Sequence, residues 1–212
     1  MCIITKKNSI FAVKTKQNEM ITRYHAKYYA QLLSQKSVGD NLQNLSQSLL
    51  NSAVDINPHQ IDAALFAFKS PLSKGVVLAD EVGLGKTIEA GLVLCQMWST
   101  AKRKIIIVCP ASLRKQWSFE LAEKFGIASE ILDAKVFNAY VAEGKNPFSY
   151  NRVIICSYNF AAKKKAEVLR HGFDLAIVDE AHKLRNVYRK SARTAADVRD
   201  ALAGTKKLLL TA

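Results

Sequence analysis

The stretch LADEVGLGKTIEAG, residues 78–91, sets Gly83, Gly85, Lys86 and Thr87 between an apolar run and the first turns of an expected helix. Glycines at such a turn let the backbone pass close to an anion, and the N–H groups of the loop and the helix N-terminus become its donors. Lys86 would add a mobile positive charge for the β- and γ-phosphates of a nucleotide, and Thr87 a hydroxyl for Mg²⁺. A glycine-rich turn with a surface lysine is the plain alternative, and the strand–loop–helix context argues against it. In the pattern GxxxxGK[ST] the first glycine would fall on Asp80, so the match is full at Gly85-Lys86-Thr87 and departs at its first position.

A second apolar run, FDLAIVDEAH at 173–182, delivers Asp179 and Glu180 at its carboxyl end. Adjacent acids at the end of a buried strand are costly unless they are paired or hold a metal. Asp179 would hold Mg²⁺ through water, and Glu180 would orient and deprotonate an attacking water, which together serve triphosphate hydrolysis. His182 is placed to sense the γ-phosphate, against the plainer reading of a histidine on a helix surface. Neither motif is specific alone, and the pair points to nucleotide binding.

Both motifs need strands to carry them. Short β-rich runs at 75–79, 105–109, 127–132, 152–157, 174–179 and 206–210 alternate with segments of helical periodicity, among them 87–98. A further helix, HQIDAALFAF, is opened by Asn57-Pro58 and ended by Ser70-Pro71. Such βαβ units close into a mostly parallel sheet with helices on both faces, and ligands there sit at the carboxyl ends of the strands. Ahead of this, Ile21, Tyr24, Tyr28 and Leu32, then Leu42, Leu45 and Leu49, recur at three or four and predict two amphipathic helices broken near Ser37–Asp40. Residues 1–19 read as a strand pair or an arm. The expected organisation is an N-terminal extension over 1–56 and an α/β lobe over 57–212.

Composition narrows the class. Of 212 residues 49% are apolar, with four prolines, which describes a folded core and excludes a low-complexity chain. A formal net charge of +13 favours an anionic partner such as nucleic acid, with a solvated basic face as the bland alternative. Cys2, Cys95, Cys109 and Cys156 show no CxxC spacing and read as reduced core residues, which points to an intracellular protein. No apolar run approaches the ~18–20 residues of a membrane span, so no membrane partner and no export are expected.

DEVGLGKTIEAG (80–91) and DEAHKLRN (179–186) together resemble the Swi/Snf-type ATPases of helicase superfamily two, the bacterial RapA-like branch included. In that family an Asp stands where Asp80 does, so the departure from the general phosphate-loop pattern is the family's own signature. Further motifs match in order. NPHQ (57–60) resembles the Q motif, whose glutamine, here Gln60, reads adenine. IIIVCPASLRKQW (105–117) resembles motif Ia, VIICSY (153–158) motif Ib, and LLLTA (208–212) the start of motif III, with Thr211 the residue that couples to His182. The resemblance covers about 57–212 and implies a RecA-like P-loop NTPase lobe, preceded by a short helical N-terminal extension. It implies ATP and Mg²⁺ as cofactors, with Asp80, Glu81, Gly83, Leu84, Gly85, Lys86, Thr87 and Gln60 on the nucleotide. Thr87 and Asp179 would hold the metal, and Lys86, Asp179, Glu180 and His182 would be catalytic.

The same resemblance implies that motifs Ia and Ib grip the phosphates of duplex DNA through Ser112, Arg114, Lys115 and Ser157, without reading sequence. Basic residues also gather at Lys102–Lys104, at Lys163–Lys165 and over 183–193. Lys102–Lys104 precede their strand and are better read as a solvated face. Trp98 and Trp117 read as core anchors, whereas Tyr24, Tyr28 and Tyr29 admit either a core or a stacking role.

The expected function is that of the first lobe of a DNA-stimulated ATPase that translocates on duplex DNA and remodels protein–DNA complexes without separating strands. The chain stops inside motif III, and the second RecA-like lobe, which brings the arginine fingers in the family, is not in it. Those fingers are worth roughly 10³–10⁵ in rate, so this chain is expected to bind ATP and hydrolyse it poorly. The alternatives are a non-catalytic nucleotide- or DNA-binding module and the lobe of a strand-separating DEAH-type helicase. The branch would suggest RNA polymerase or phage-defence proteins as partners, and a nucleoid-associated location in the bacterial cytoplasm.

Overall fold

A computed structural model describes residues 2–5, 58–69, 75–79, 85–149, 152–185 and 193–211. Seven strands form one sheet: β1 (Cys2–Thr5), β2 (Gly75–Ala79), β3 (Ile105–Cys109), β4 (Ser129–Leu132), β5 (Val153–Ser157), β6 (Leu175–Val178) and β7 (Lys206–Thr211). Their spatial order is β1-β2-β7-β6-β3-β5-β4, and every pairing is parallel. Parallel pairing forces each connection to cross over the sheet, and helices do so: α1 (Pro58–Lys69), α2 (Lys86–Ser99), α3 (Arg114–Phe125), α4 (Ala134–Ala142), α5 (Tyr158–Lys163), α6 (Lys165–His171) and α7 (Arg193–Ala201).

The strand residues show why both faces are covered. In β3 all five residues are buried, with Ile105, Ile107 and Cys109 facing one core and Ile106 and Val108 the other. A strand buried on both faces must be apolar throughout, as IIIVC and LAIV are. The first core holds Ala64, Leu92, Leu94, Trp117 and Leu121 of α1, α2 and α3. The second holds Phe137, Phe160, Val168 and Val198 of α4 to α7. The expected three-layer α/β architecture is therefore the one observed. The amphipathic helices expected over 20–50 lie outside the described residues, while β1, from the segment ahead of residue 57, pairs along β2 from Cys2↔Val76 to Thr5↔Ala79.

Boundaries moved where local chemistry intervened. The strand expected at 127–132 begins only at Ser129, because Gly126 takes a left-handed turn (φ +61°) and the Ile127 N–H returns to the Leu121 carbonyl at 3.0 Å. α4 starts where Asp133 accepts from the Val136 N–H at 2.9 Å. Burial raises the Cys95 and Cys109 thiols to about 12 and pushes Cys156 higher still, so all three stay protonated core residues.

In-register neighbours bring the functional ends together. Ala79 of β2 pairs with Thr211 of β7, Leu209 with Val178 of β6, Val178 with Val108 of β3, and Cys109 with Ser157 of β5. Everything that follows these strands lies along one edge of the sheet.

Candidate nucleotide site

The phosphate loop is described from Gly85 onward; Asp80, Glu81, Gly83 and Leu84 lie outside the described residues. Gly85 adopts φ +86°, ψ +35°, and its carbonyl accepts the first helical bond of α2 from Ile88 N–H at 2.7 Å. α2 therefore opens at Lys86, with its positively polarised end at the strand terminus. A Cβ on Gly85 would stand 2.4 Å from the Gln60 side-chain nitrogen, so the buried Gln60 packs directly on the loop's end. The adenine-reading candidate and the phosphate-loop glycine thus touch.

On the opposing wall the Asp179 N–H donates to the Val108 carbonyl at 2.9 Å, carrying the β3–β6 ladder one step past the end of β6. The chain then reverses through Glu180 in the left-handed region (φ +54°, ψ +48°) into a single 3-10 turn, Ala181–Leu184. A left-handed glutamate costs roughly 1–2 kcal/mol, a strain that persists only where surroundings fix it. The fixing bonds are present. The Tyr158 hydroxyl donates to the Asp179 carbonyl at 2.5 Å and lies 3.2 Å from the Glu180 carbonyl, and the Glu180 N–H donates to Asp179 Oδ1 at 2.9 Å.

Sequence reasoning assigned Trp117 to the core, and it is 3% exposed. Its ring nitrogen also donates to Asp179 Oδ2 at 2.9 Å. Burial pushes the Asp179 carboxyl above the ordinary carboxylate range, the Trp117 and Glu180 N–H donors oppose that, and Lys86 opposes it from across the cleft. A part-buried acid held by two donors and faced by a lysine is one built to carry charge when a cation arrives.

These groups share a cleft of about 360 Å³ lined by Gly85, Lys86, Thr87, Asp179, Glu180 and Trp117, with Gln116, Glu120 and Lys124 of α3 along one side. Gln116 falls within the motif Ia stretch but was given no role there, and Glu120 and Lys124 lie outside every motif, which is why the sequence did not single them out. The donor set fits a nucleotide-borne metal. Among the described residues no three His, Cys, Asp or Glu gather into a metal-ligating group. Mg²⁺ in nucleotide sites takes only one or two protein ligands and fills its shell with phosphates and water. Thr87 and Asp179 meet that need.

His182 does not line the cleft; its Nδ1 stands 3.1 Å from Glu180 Oε2 on a half-exposed pair. Thr211 ends β7 between the loop strand and the acid strand, and β7 runs against the 181–184 turn that holds His182.

A second cavity, of about 510 Å³, opens beyond β3 and β5 and is lined by Pro110, Ala111, Ser112, Ser157, Tyr158, Asn159, Lys183, Thr194 and Ala195. It gathers Ser112 and Ser157 but not Arg114 or Lys115. Arg114 turns its Nε back to the Ala111 carbonyl at 3.1 Å, and Lys115 is exposed on α3. The Ser157 oxygen accepts from the Phe160 N–H at 3.2 Å, capping α5, and keeps its own proton to donate. Lys102–Lys104 are exposed at the opposite end of β3, where the Arg103 guanidinium lies 5.4 Å from the Trp98 ring centroid. Lys165 bridges Asp197 and Asp200 within the lobe.

A family model described as the SNF2-related domain matches residues 11–212, starting inside the segment treated above as an extension. Among solved structures, the chain is similar to a Sulfolobus solfataricus SWI2/SNF2 ATPase core in complex with dsDNA. The TM-score is 0.61 at 21% identity, over 76% of this chain and 32% of that one. At that identity the likeness speaks for the fold, and the chain spans about a third of that relative's length. With the family model running over nearly the whole sequence, the chain belongs to the SNF2-related domain family.

Proposed function

We propose that the chain is the ATP-binding lobe of a DNA-dependent ATPase that translocates on duplex DNA and remodels the protein–DNA complexes it meets. The observation that carries this reading is one cleft uniting Gly85, Lys86 and Thr87 with Asp179 and Glu180. Lys86 and the start of α2 hold the phosphates, Thr87 and Asp179 hold the cation, and Gln60 sits against Gly85 where a base would enter. Bound Mg²⁺ would neutralise charge on the β- and γ-phosphates. Glu180 is the group that orients a water and takes its proton. His182, tied to the Glu180 carboxylate, relays the state of that group toward Thr211.

Duplex DNA is the anionic partner best supported, through the second cavity on the same sheet edge and the formal net charge of +13. The S. solfataricus relative is itself described with dsDNA. Backbone contacts from Ser112, Ser157 and Lys183 carry no base code, so binding is sequence-tolerant and weakens steeply with salt.

The test is ATP binding and hydrolysis by this chain with and without duplex DNA, with Lys86→Ala as the blank. Lys86-dependent binding of Mg·ATP with little turnover supports the reading of a lobe that awaits arginines from elsewhere. Binding that survives Lys86→Ala, or DNA affinity indifferent to salt, overturns it.

A further inference from the structure

The two cavities are separated by one side chain and one turn. Tyr158 lines the second cavity, yet its hydroxyl reaches the main-chain carbonyls of Asp179 and Glu180, whose side chains line the first. The turn makes a parallel link. Lys183 lines the second cavity, and its backbone N–H donates to the Glu180 carbonyl at 3.0 Å. The Glu180 carbonyl therefore meets two of the residues that line the second cavity, Tyr158 and Lys183, and belongs to the residue held left-handed at φ +54°. That strained conformation persists only because these bonds hold it, so a change in the bonds on its carbonyl alters how its carboxylate is held.

We infer that Tyr158 is the positioning residue by which nucleic acid in the second cavity sets the geometry of the Asp179–Glu180 pair in the nucleotide cleft. A phosphodiester seated against Ser112, Ser157 and Lys183 draws on Lys183 and shifts the Tyr158 ring that walls the cavity. The shared carbonyl feels both, and Glu180 turns toward or away from the site of the attacking water. Tyr158 touches neither nucleotide nor metal; it acts through the two peptide groups it holds. Arg114 and Lys115, which do not line the cavity, add attraction without entering this link.

The inference rests on the nucleotide and DNA reading above, and a coupling measurement separates the two. The affinity of the full chain for a non-hydrolysable Mg·ATP analogue is measured with and without saturating duplex DNA, and the affinity for DNA with and without the analogue. The two ratios must agree if the sites are linked. The wild type should give a ratio of about fivefold or more, the lower end of ordinary coupling. Tyr158→Phe, which keeps the ring and removes the hydroxyl, should bring it to near one. The ratio is unmoved by a uniform loss of affinity, so a merely structural defect does not mimic the result.

Hydrogen exchange of the 179–184 amides on adding duplex DNA to the wild type reads the same link with no substitution, and their protection should rise. A wild type that binds neither ligand overturns the functional reading and the link with it. Binding of both with a ratio of one, a ratio kept by Tyr158→Phe, or unchanged exchange at 179–184 overturns the link alone.

Discussion

The indole N–H of Trp117 donates to Asp179 Oδ2 at 2.9 Å across 62 residues of sequence. A hydrogen bond to a charged group is worth about 1.5–3 kcal/mol, and this one opposes the burial that raises the Asp179 carboxyl. Trp117→Phe keeps the apolar ring and removes only the donor. The expected outcome is a retained fold with Mg²⁺-dependent nucleotide binding weakened by about tenfold. Titration calorimetry at two Mg²⁺ concentrations checks it, since excess Mg²⁺ should recover part of the loss.

Glu180 places function and stability in opposition. Its left-handed backbone (φ +54°) would suit glycine. Glu180→Gly should melt higher, by about 1 kcal/mol of strain relieved, whereas Glu180→Gln should not. Both lose the carboxylate, which the proposed function makes the acceptor of the attacking water's proton. Equal melting temperatures for the two variants would show that the turn holds no strain.

Gly91 of α2 lies under the Phe125 ring of α3: a Cβ there would meet ring carbons at 2.2 and 2.3 Å. Gly91→Ala should destabilise by about 1–3 kcal/mol through overpacking, outweighing the helix propensity alanine gains. Phe125→Leu on the same background should recover most of the loss. Denaturant unfolding of the two single variants and the double gives the coupling.

Stability should fall on mild acidification, through His171. Its ring packs on Phe148 and Phe173 at centroid distances of 5.3 and 4.8 Å, and its Nε2 is buried without a hydrogen-bond partner. Burial depresses its pKa, Lys104 pushes the same way, and Asp174 opposes. The unfolded chain takes up that proton near pH ~6.5 while the folded chain resists until lower pH. Stability from this group is complete above that value and is lost as pH falls through it toward the depressed one. Melting at pH 7.5 and 5.5 should show the drop, and His171→Phe should reduce it.

The strands, and the residues that meet in the first cleft, were legible because each is written locally, as a β-branched run followed at once by its turn. GVVLA leads to the Gly85 loop and LAIV to Asp179. What escaped was written across the sequence. Trp117 and Tyr158 reach the acid pair only after β3, β5 and β6 align, and nothing around either residue marks a partner 62 or 21 positions away. Arg114 and Lys115 show the reverse: charge and motif placed them on a nucleic-acid surface, but a local bond to Ala111 and the turn into α3 keep them out of the cavity that Ser112 lines.

The position of β7 has a consequence for biosynthesis. β7 is the last described strand in sequence, yet it lies between β2 and β6, which share no pairing with each other. A nascent chain that has emerged only as far as residue 205 can assemble β1 with β2 and β6 with β3, β5 and β4, leaving two half-sheets with the phosphate loop on one and the acids on the other. Non-local pairing of this kind is slow to form. The cleft between Lys86 and Asp179 is thus set by a strand that belongs to neither motif: the spacing of its two walls is fixed when residues 206–211 pair with β2 on one side and β6 on the other.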